Sequence, residues 1–177
     1  MTWFASLLGG INVGGHRNVP MGELRGLFAD LGYPEAKTYI QSGNVVFEAE
    51  AEAAALEADL GGAIERRFGF PVLVIVRSRE ELDAVIAANP FDGRDLDLSR
   101  MVVTFLSAPI PEGVSLVVPD GYPEEVVGAG REVYVSYPDG MGRSTLDRSG
   151  VWKPLAGIGA TTRNWRTVCT LRRLMGE

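Results

Sequence analysis

The chain has 177 residues and a mass of 19.1 kDa, with 46% hydrophobic and 23% charged residues. That composition excludes general disorder and fits one compact domain or two small halves sharing a core, in which folding buries roughly 70% of the unfolded chain's surface without a metal or disulfide staple. Net charge is −6 with a pI near 4.9, which argues against non-specific binding to nucleic acid or to an anionic membrane.

Cys169 is the lone cysteine and His16 the lone histidine, so a disulfide framework and a standard zinc site are both disfavoured. No apolar run reaches the ~18 residues of a membrane span, and no basic-then-apolar segment marks a secretory signal. The expectation is a soluble, cytoplasmic protein without a cofactor. Charge is uneven: from Gly142 onward the chain carries +5, against −11 before it. The basic end either docks onto acidic parts of the same molecule, suits helix C-terminal dipoles, or receives an anion.

In chain order, Trp3 to Leu8 reads as a strand, and 9–17 as a glycine-rich loop. Pro20 opens a helix with Met21, Leu24, Leu27, Phe28 and Leu31 on one face, stopped by Gly32. Thr38 to Gln41 and Asn44 to Glu48 read as strands joined by a two-residue Ser42-Gly43 turn. Leu56, Leu60, Ile64 and Phe68 recur every four residues within 49–68, an amphipathic helix. Val72 to Val76 is a further strand. The order β-α-β-β-α-β predicts an α+β fold whose first half, 1–77, is ferredoxin-like. Its strands are apolar on both faces, so a second layer must cover the face its helices leave: either residues 78–177 or a second copy in a homodimer.

The second, smaller α+β half begins where Ser78 and Glu81 form a capping box. Its helix ends at Asn89-Pro90. Met101 to Leu106, Val114 to Val118, Val126-Val127 and Val133 to Tyr137 read as antiparallel strands, with a bend at 128–130. Ser144 to Arg148 reads as a short helix. A final helix, capped by Thr161 or Thr162, runs to about Met175.

Three segments carry the chemistry. The loop Gly10-Ile11-Asn12-Val13-Gly14-Gly15-His16-Arg17 approaches the spacing of a phosphate-binding loop. His16 and Arg17 replace its lysine and hydroxyl, which argues against nucleotide hydrolysis. Asn12, Gly14, Gly15 and Arg17 can still form an anion-binding concavity; a tight turn needs the same glycines. Gln41, Ser42 and Asn44 offer polar groups at a bend, or satisfy that bend's own backbone. Thr162, Arg163, Asn164 and Arg166 offer a hydroxyl, an amide and two charges at the head of the last helix, where unpaired N–H groups suit an anion. Ser144 joins them as a further polar candidate. His16 has no evident fixed partner, so no catalytic residue is assigned. Asp92, Asp95 and Asp97 lack the spacing of a calcium loop, and Cys169 reads as an inert thiol.

The segments Leu8 to Gly15, Thr38 to Phe47 and Ala160 to Val168, with Val19-Pro20-Met21, Asn89-Pro90-Phe91 and Gly142-Arg143-Ser144, resemble the family catalogued as domain of unknown function 1697. The resemblance spans nearly the whole chain. It implies a two-part α+β fold with a ferredoxin-like first part, and carries over no activity or catalytic residue. Gly9 stands where members usually have arginine, and Thr145 where they often have lysine. The expected function is a binding module for a small anionic or nucleotide-like ligand at the junction of the halves. The alternatives are an enzyme acting on a phosphorylated or carboxylated small molecule, and a self-assembly or interaction domain.

Overall fold

The computed structural model describes residues 1–176 and shows an α+β protein with two four-stranded antiparallel sheets. The chain divides into two compact units. One comprises Met1–Ala84 with the segment that begins at Thr170, and the other Val85–Cys169.

The first unit runs β1 (Thr2–Gly9), α1 (Met21–Asp30), β2 (Lys37–Tyr39), β3 (Asn44–Ala49), α2 (Ala53–Phe68) and β4 (Leu73–Ser78). Its sheet order is β2-β3-β1-β4, the ferredoxin-like arrangement expected from the sequence. The apolar stripes of α1 and α2 cover one face. Leu24, Phe28, Leu56, Leu60 and Ile64 meet Phe4, Val45, Phe47, Val74 and Val76 there. Phe47 anchors an aromatic cluster, with Phe28 edge-on at 5.2 Å, Tyr33 at 5.0 Å and Phe4 at 6.0 Å between centroids. On the other face Ala5, Leu7, Val46 and Ile75 are also fully buried.

The capping box at Ser78 forms as expected at the start of α3 (Arg79–Ala87). The Glu81 carboxylate accepts from the Ser78 amide at 2.7 Å, and Ser78 Oγ accepts from the Glu81 amide at 3.1 Å.

In the second unit, β5 (Met101–Leu106), β6 (Glu125–Ala129), β7 (Glu132–Ser136) and β8 (Ala160–Asn164) form a sheet of order β6-β7-β5-β8. Val102, Leu106, Val133 and Val135 face a roof containing Leu146, Val151 and Leu155. That roof is irregular: a loop between β5 and β6, then three short 3-10 turns between β7 and β8. The connections pack close to Gly128, where a Cβ would lie 2.6 Å from Ile110 Cδ1 and would require that side-chain tip to move.

Two expectations for this half fail. Residues 114–118 are irregular, with Val117 exposed, because no neighbouring strand supplies their hydrogen bonds. Residues 160–164 form β8 rather than the head of the last helix, because β5 pairs with them along Val102↔Asn164 to Leu106↔Ala160. The last helix, α4 (Trp165–Leu174), starts afterwards. Asn164 caps it, its Oδ1 accepting from the Thr167 amide at 2.8 Å.

Candidate functional site

Two of the three segments meet within the first unit. The loop after β1 forms a miniature hairpin. Val13 bridges His16, the His16 amide donates to the Val13 carbonyl, and the Asn12 amide donates to the Arg17 carbonyl, both at 3.1 Å. Gly14 and Gly15 are its two turn residues, with φ of 59° and 76°, as a twist-matched two-residue turn requires. This geometry separates the loop from a nucleotide-hydrolase loop: Val19 and Pro20 intervene before α1, and Pro20 gives that helix no side-chain cap.

Asn12 holds the hairpin to the β2–β3 connection. Its Nδ2 donates to the Gln41 carbonyl at 2.7 Å and to the Val19 carbonyl at 3.0 Å, and its Oδ1 accepts from the Val19 amide at 2.8 Å. The Leu8 amide donates to the Gly43 carbonyl at 2.9 Å. Gly43 permits this approach, since a Cβ there would sit 2.7 Å from Ile11 Cδ1 and 2.8 Å from Leu8 Cβ.

The connection itself spans residues 40–43, two residues longer than the Ser42-Gly43 turn expected from the sequence. The Asn44 side chain braces it by donating to the Tyr39 carbonyl at 2.9 Å and to Ser42 Oγ at 3.0 Å. Asn12, Ser42 and Asn44 therefore serve the scaffold.

Arg17 is tied down differently. One Nη2 donates to the Pro71 carbonyl, and the guanidinium lies 5.4 Å from the Phe70 ring centroid. That leaves most of its five N–H donors for another partner. The amides of Gly14 and Gly15 donate to no acceptor among the described residues, and the His16 and Gln41 side chains make no hydrogen bond among them. Val13 and Ile40, chain neighbours of Asn12 and Gln41, are exposed.

Backbone strain concentrates at this place. Among the described residues, the non-glycine positions with positive φ are Asn12 (54°), Arg17 (52°) and Ile40 (49°). A β-branched residue in the left-handed region is a genuine outlier, costing on the order of 1–3 kcal/mol, and persists only where its surroundings over-determine it. The sequence shows no sign of Ile40, Phe70 or Pro71 as members of this site. Their involvement comes from tertiary contacts, and Ile40 occupies a backbone region its side chain disfavours.

The third segment lies in the second unit, with another geometry. Alternation along β8 sends Thr161 and Arg163 to one face of the sheet and Thr162 and Asn164 to the other. Arg163 is buried. Its Nη1 donates to Thr161 Oγ1 at 2.7 Å and to the Thr162 carbonyl at 3.0 Å, and burial lowers its pKa to about 10. Thr162 Oγ1 lies 2.8 Å from Thr104 Oγ1. Arg166 is exposed on α4. Ser144 is committed to the fold, donating to Glu124 Oε1 at 2.5 Å and accepting from the Leu146 amide at 3.1 Å. Within the basic C-terminal segment, Arg172 pairs with Asp83, an instance of that end docking onto an acid of the same chain.

No group of three or more His, Cys, Asp or Glu side chains placed to hold a metal occurs among the described residues, nor any helix long and apolar enough to cross a membrane.

The family model described as "Protein of unknown function (DUF1697)" matches residues 1–134. No curated protein matches the chain in sequence. Among solved structures, the conserved bacterial protein SP0830 from Streptococcus pneumoniae is similar over 98% of both chains, with a TM-score of 0.71 and 25% identity.

Proposed function

The chain belongs to the DUF1697 family, and from that premise we propose that it is a binding module for a small anionic or nucleotide-like ligand, received at the hairpin of residues 12–17 beside the 40–43 connection. The observation that carries this reading is the strain: three left-handed non-glycine residues fall on two segments that Asn12 ties together. A structure that maintains such strain in an exposed loop holds its groups in place before a ligand arrives, which reduces the ordering cost of binding.

The groups held there suit an anion. Two successive glycine amides lack acceptors among the described residues, and the remaining Arg17 donors lie in the same hairpin. Exposed Val13 and Ile40 offer apolar surface for the uncharged body of such a ligand. Catalysis has weaker support, because the His16 side chain has no hydrogen-bond partner among the described residues to fix its orientation.

Calorimetric titration with inorganic phosphate and adenosine monophosphate tests the proposal. Saturable binding that weakens roughly tenfold in Arg17→Gln supports it, as expected for one lost charge-assisted contact. Absence of heat with both ligands, or equal affinity in the variant, removes the site.

A further inference from the structure

The second unit holds a cavity of about 290 Å³ whose charge points to a different class of ligand. Its floor is the hydroxyl pair of Thr104 and Thr162, 2.8 Å apart on β5 and β8. The residues after β7 that line it include the aromatic Tyr137 and Trp152 and the apolar Leu155. Asp147 is the charged side chain in the lining, and neither lysine nor arginine joins it.

The polar groups are oriented. Trp152 Nε1 donates to Asp147 Oδ1 at 2.8 Å, which fixes both side chains and leaves the second carboxylate oxygen free to accept. Tyr137 is buried, and burial together with the Asp147 and Glu124 carboxylates pushes its phenol up to about 12, so the ring presents a neutral hydroxyl. Glu124 adds further negative potential beside Tyr137. It is buried, and its Oε2 has no hydrogen-bond partner among the described residues. An anion entering here would meet uncompensated carboxylates.

We propose that this cavity binds a compact alkylammonium ion, its cationic head held by Asp147 and the faces of Trp152 and Tyr137, and its apolar part against Leu155. Aromatic rings beside a carboxylate attract quaternary and alkylated ammonium groups through both ring quadrupole and charge, and a mostly apolar pocket of about 300 Å³ suits a small ligand. The site is independent of the hairpin of the first unit in residues and in ligand charge.

Choline is the probe, and its neutral carbon isostere dimethylbutanol the control. The chain has three tryptophans, and the Trp152 indole N–H resonance is assigned by its loss in Trp152→Phe. Choline is expected to shift that resonance saturably, dimethylbutanol to leave it in place, and Asp147→Asn to weaken choline roughly fivefold, the scale of one charge contact at an exposed carboxylate. Asp147 is exposed, so the variant is expected to fold, and an unchanged spectrum away from the cavity verifies this. No shift with choline, an equal shift with the isostere, or undiminished affinity in the folded Asp147→Asn variant overturns the proposal.

Discussion

The two units build the same sheet and roof it differently. Both order their four antiparallel strands second-third-first-fourth, β2-β3-β1-β4 in one and β6-β7-β5-β8 in the other. In the first, α1 and α2 occupy the two crossover connections and press an aromatic cluster around Phe47 onto the sheet. In the second, a loop and 3-10 turns take those places, and a cavity lies between them and the strands. Helices present apolar side chains at a regular spacing that fills a sheet face. Irregular connections satisfy their backbones locally and leave gaps between side chains. The same sheet order therefore accommodates a helical roof in one unit and an irregular one in the other.

Core truncation is the strongest way to break this comparison. Phe47→Ala is expected to destabilise by about 3–5 kcal/mol, because the cluster around it is closely packed. Leu155→Ala, at the cavity wall, is expected near 2 kcal/mol, because space already exists beside it. Equal losses in urea unfolding would contradict the contrast between roofs.

A second pair concerns glycines. Gly43→Ala combines a φ of 88° with contacts below 3 Å to Ile11 and Leu8, and is expected to cost about 2–4 kcal/mol. Gly128→Ala meets only side-chain tips, Ile110 Cδ1 at 2.6 Å and Leu116 Cδ1 at 3.4 Å, which can rotate away, so about 1 kcal/mol is expected. Thermal unfolding of both variants tests the order, and a larger loss at Gly128 would reverse it.

A smaller effect distinguishes the units by pH. Tyr134 and Tyr137, both in the second unit, are pushed from 10.0 up to about 12, chiefly by burial. A folded pKa above the unfolded one means their stabilising contribution is whole below pH 10 and is lost as pH rises toward about 12. Arg163 acts in the opposite direction: lowered to about 10, it relieves a buried charge as it deprotonates. With two tyrosines against one arginine, stability is expected to fall over this window, and less steeply in Tyr137→Phe. Identical slopes in wild type and variant would exclude Tyr137 as a source.

What the sequence made legible was local. The βαββαβ order follows from periodicity, and the Ser78–Glu81 box from a three-residue spacing; both appear in the structure. What escaped was non-local. Ala160 to Asn164 is short and polar, like the head of a helix, and becomes a strand only because β5, far earlier in the chain, accepts it as a partner. Val114 to Val118 is apolar like a strand but finds no partner, so it stays irregular. At the candidate site, the glycines and amides stood out as residue types, yet Asn12 and Asn44 spend their hydrogen bonds on the scaffold. The strain at Ile40 and the tether of Arg17 to Pro71 arise from tertiary contacts that leave no local mark on the sequence.

The backbone amide resonances of Gly14 and Gly15 during a phosphate titration report most directly on the hairpin. Saturable downfield shifts of both, with Ala5 and Val46 in the sheet behind unmoved, are the predicted result. Resonances that stay in place while phosphate binds elsewhere, or does not bind, would show that the strained hairpin is a turn and nothing more.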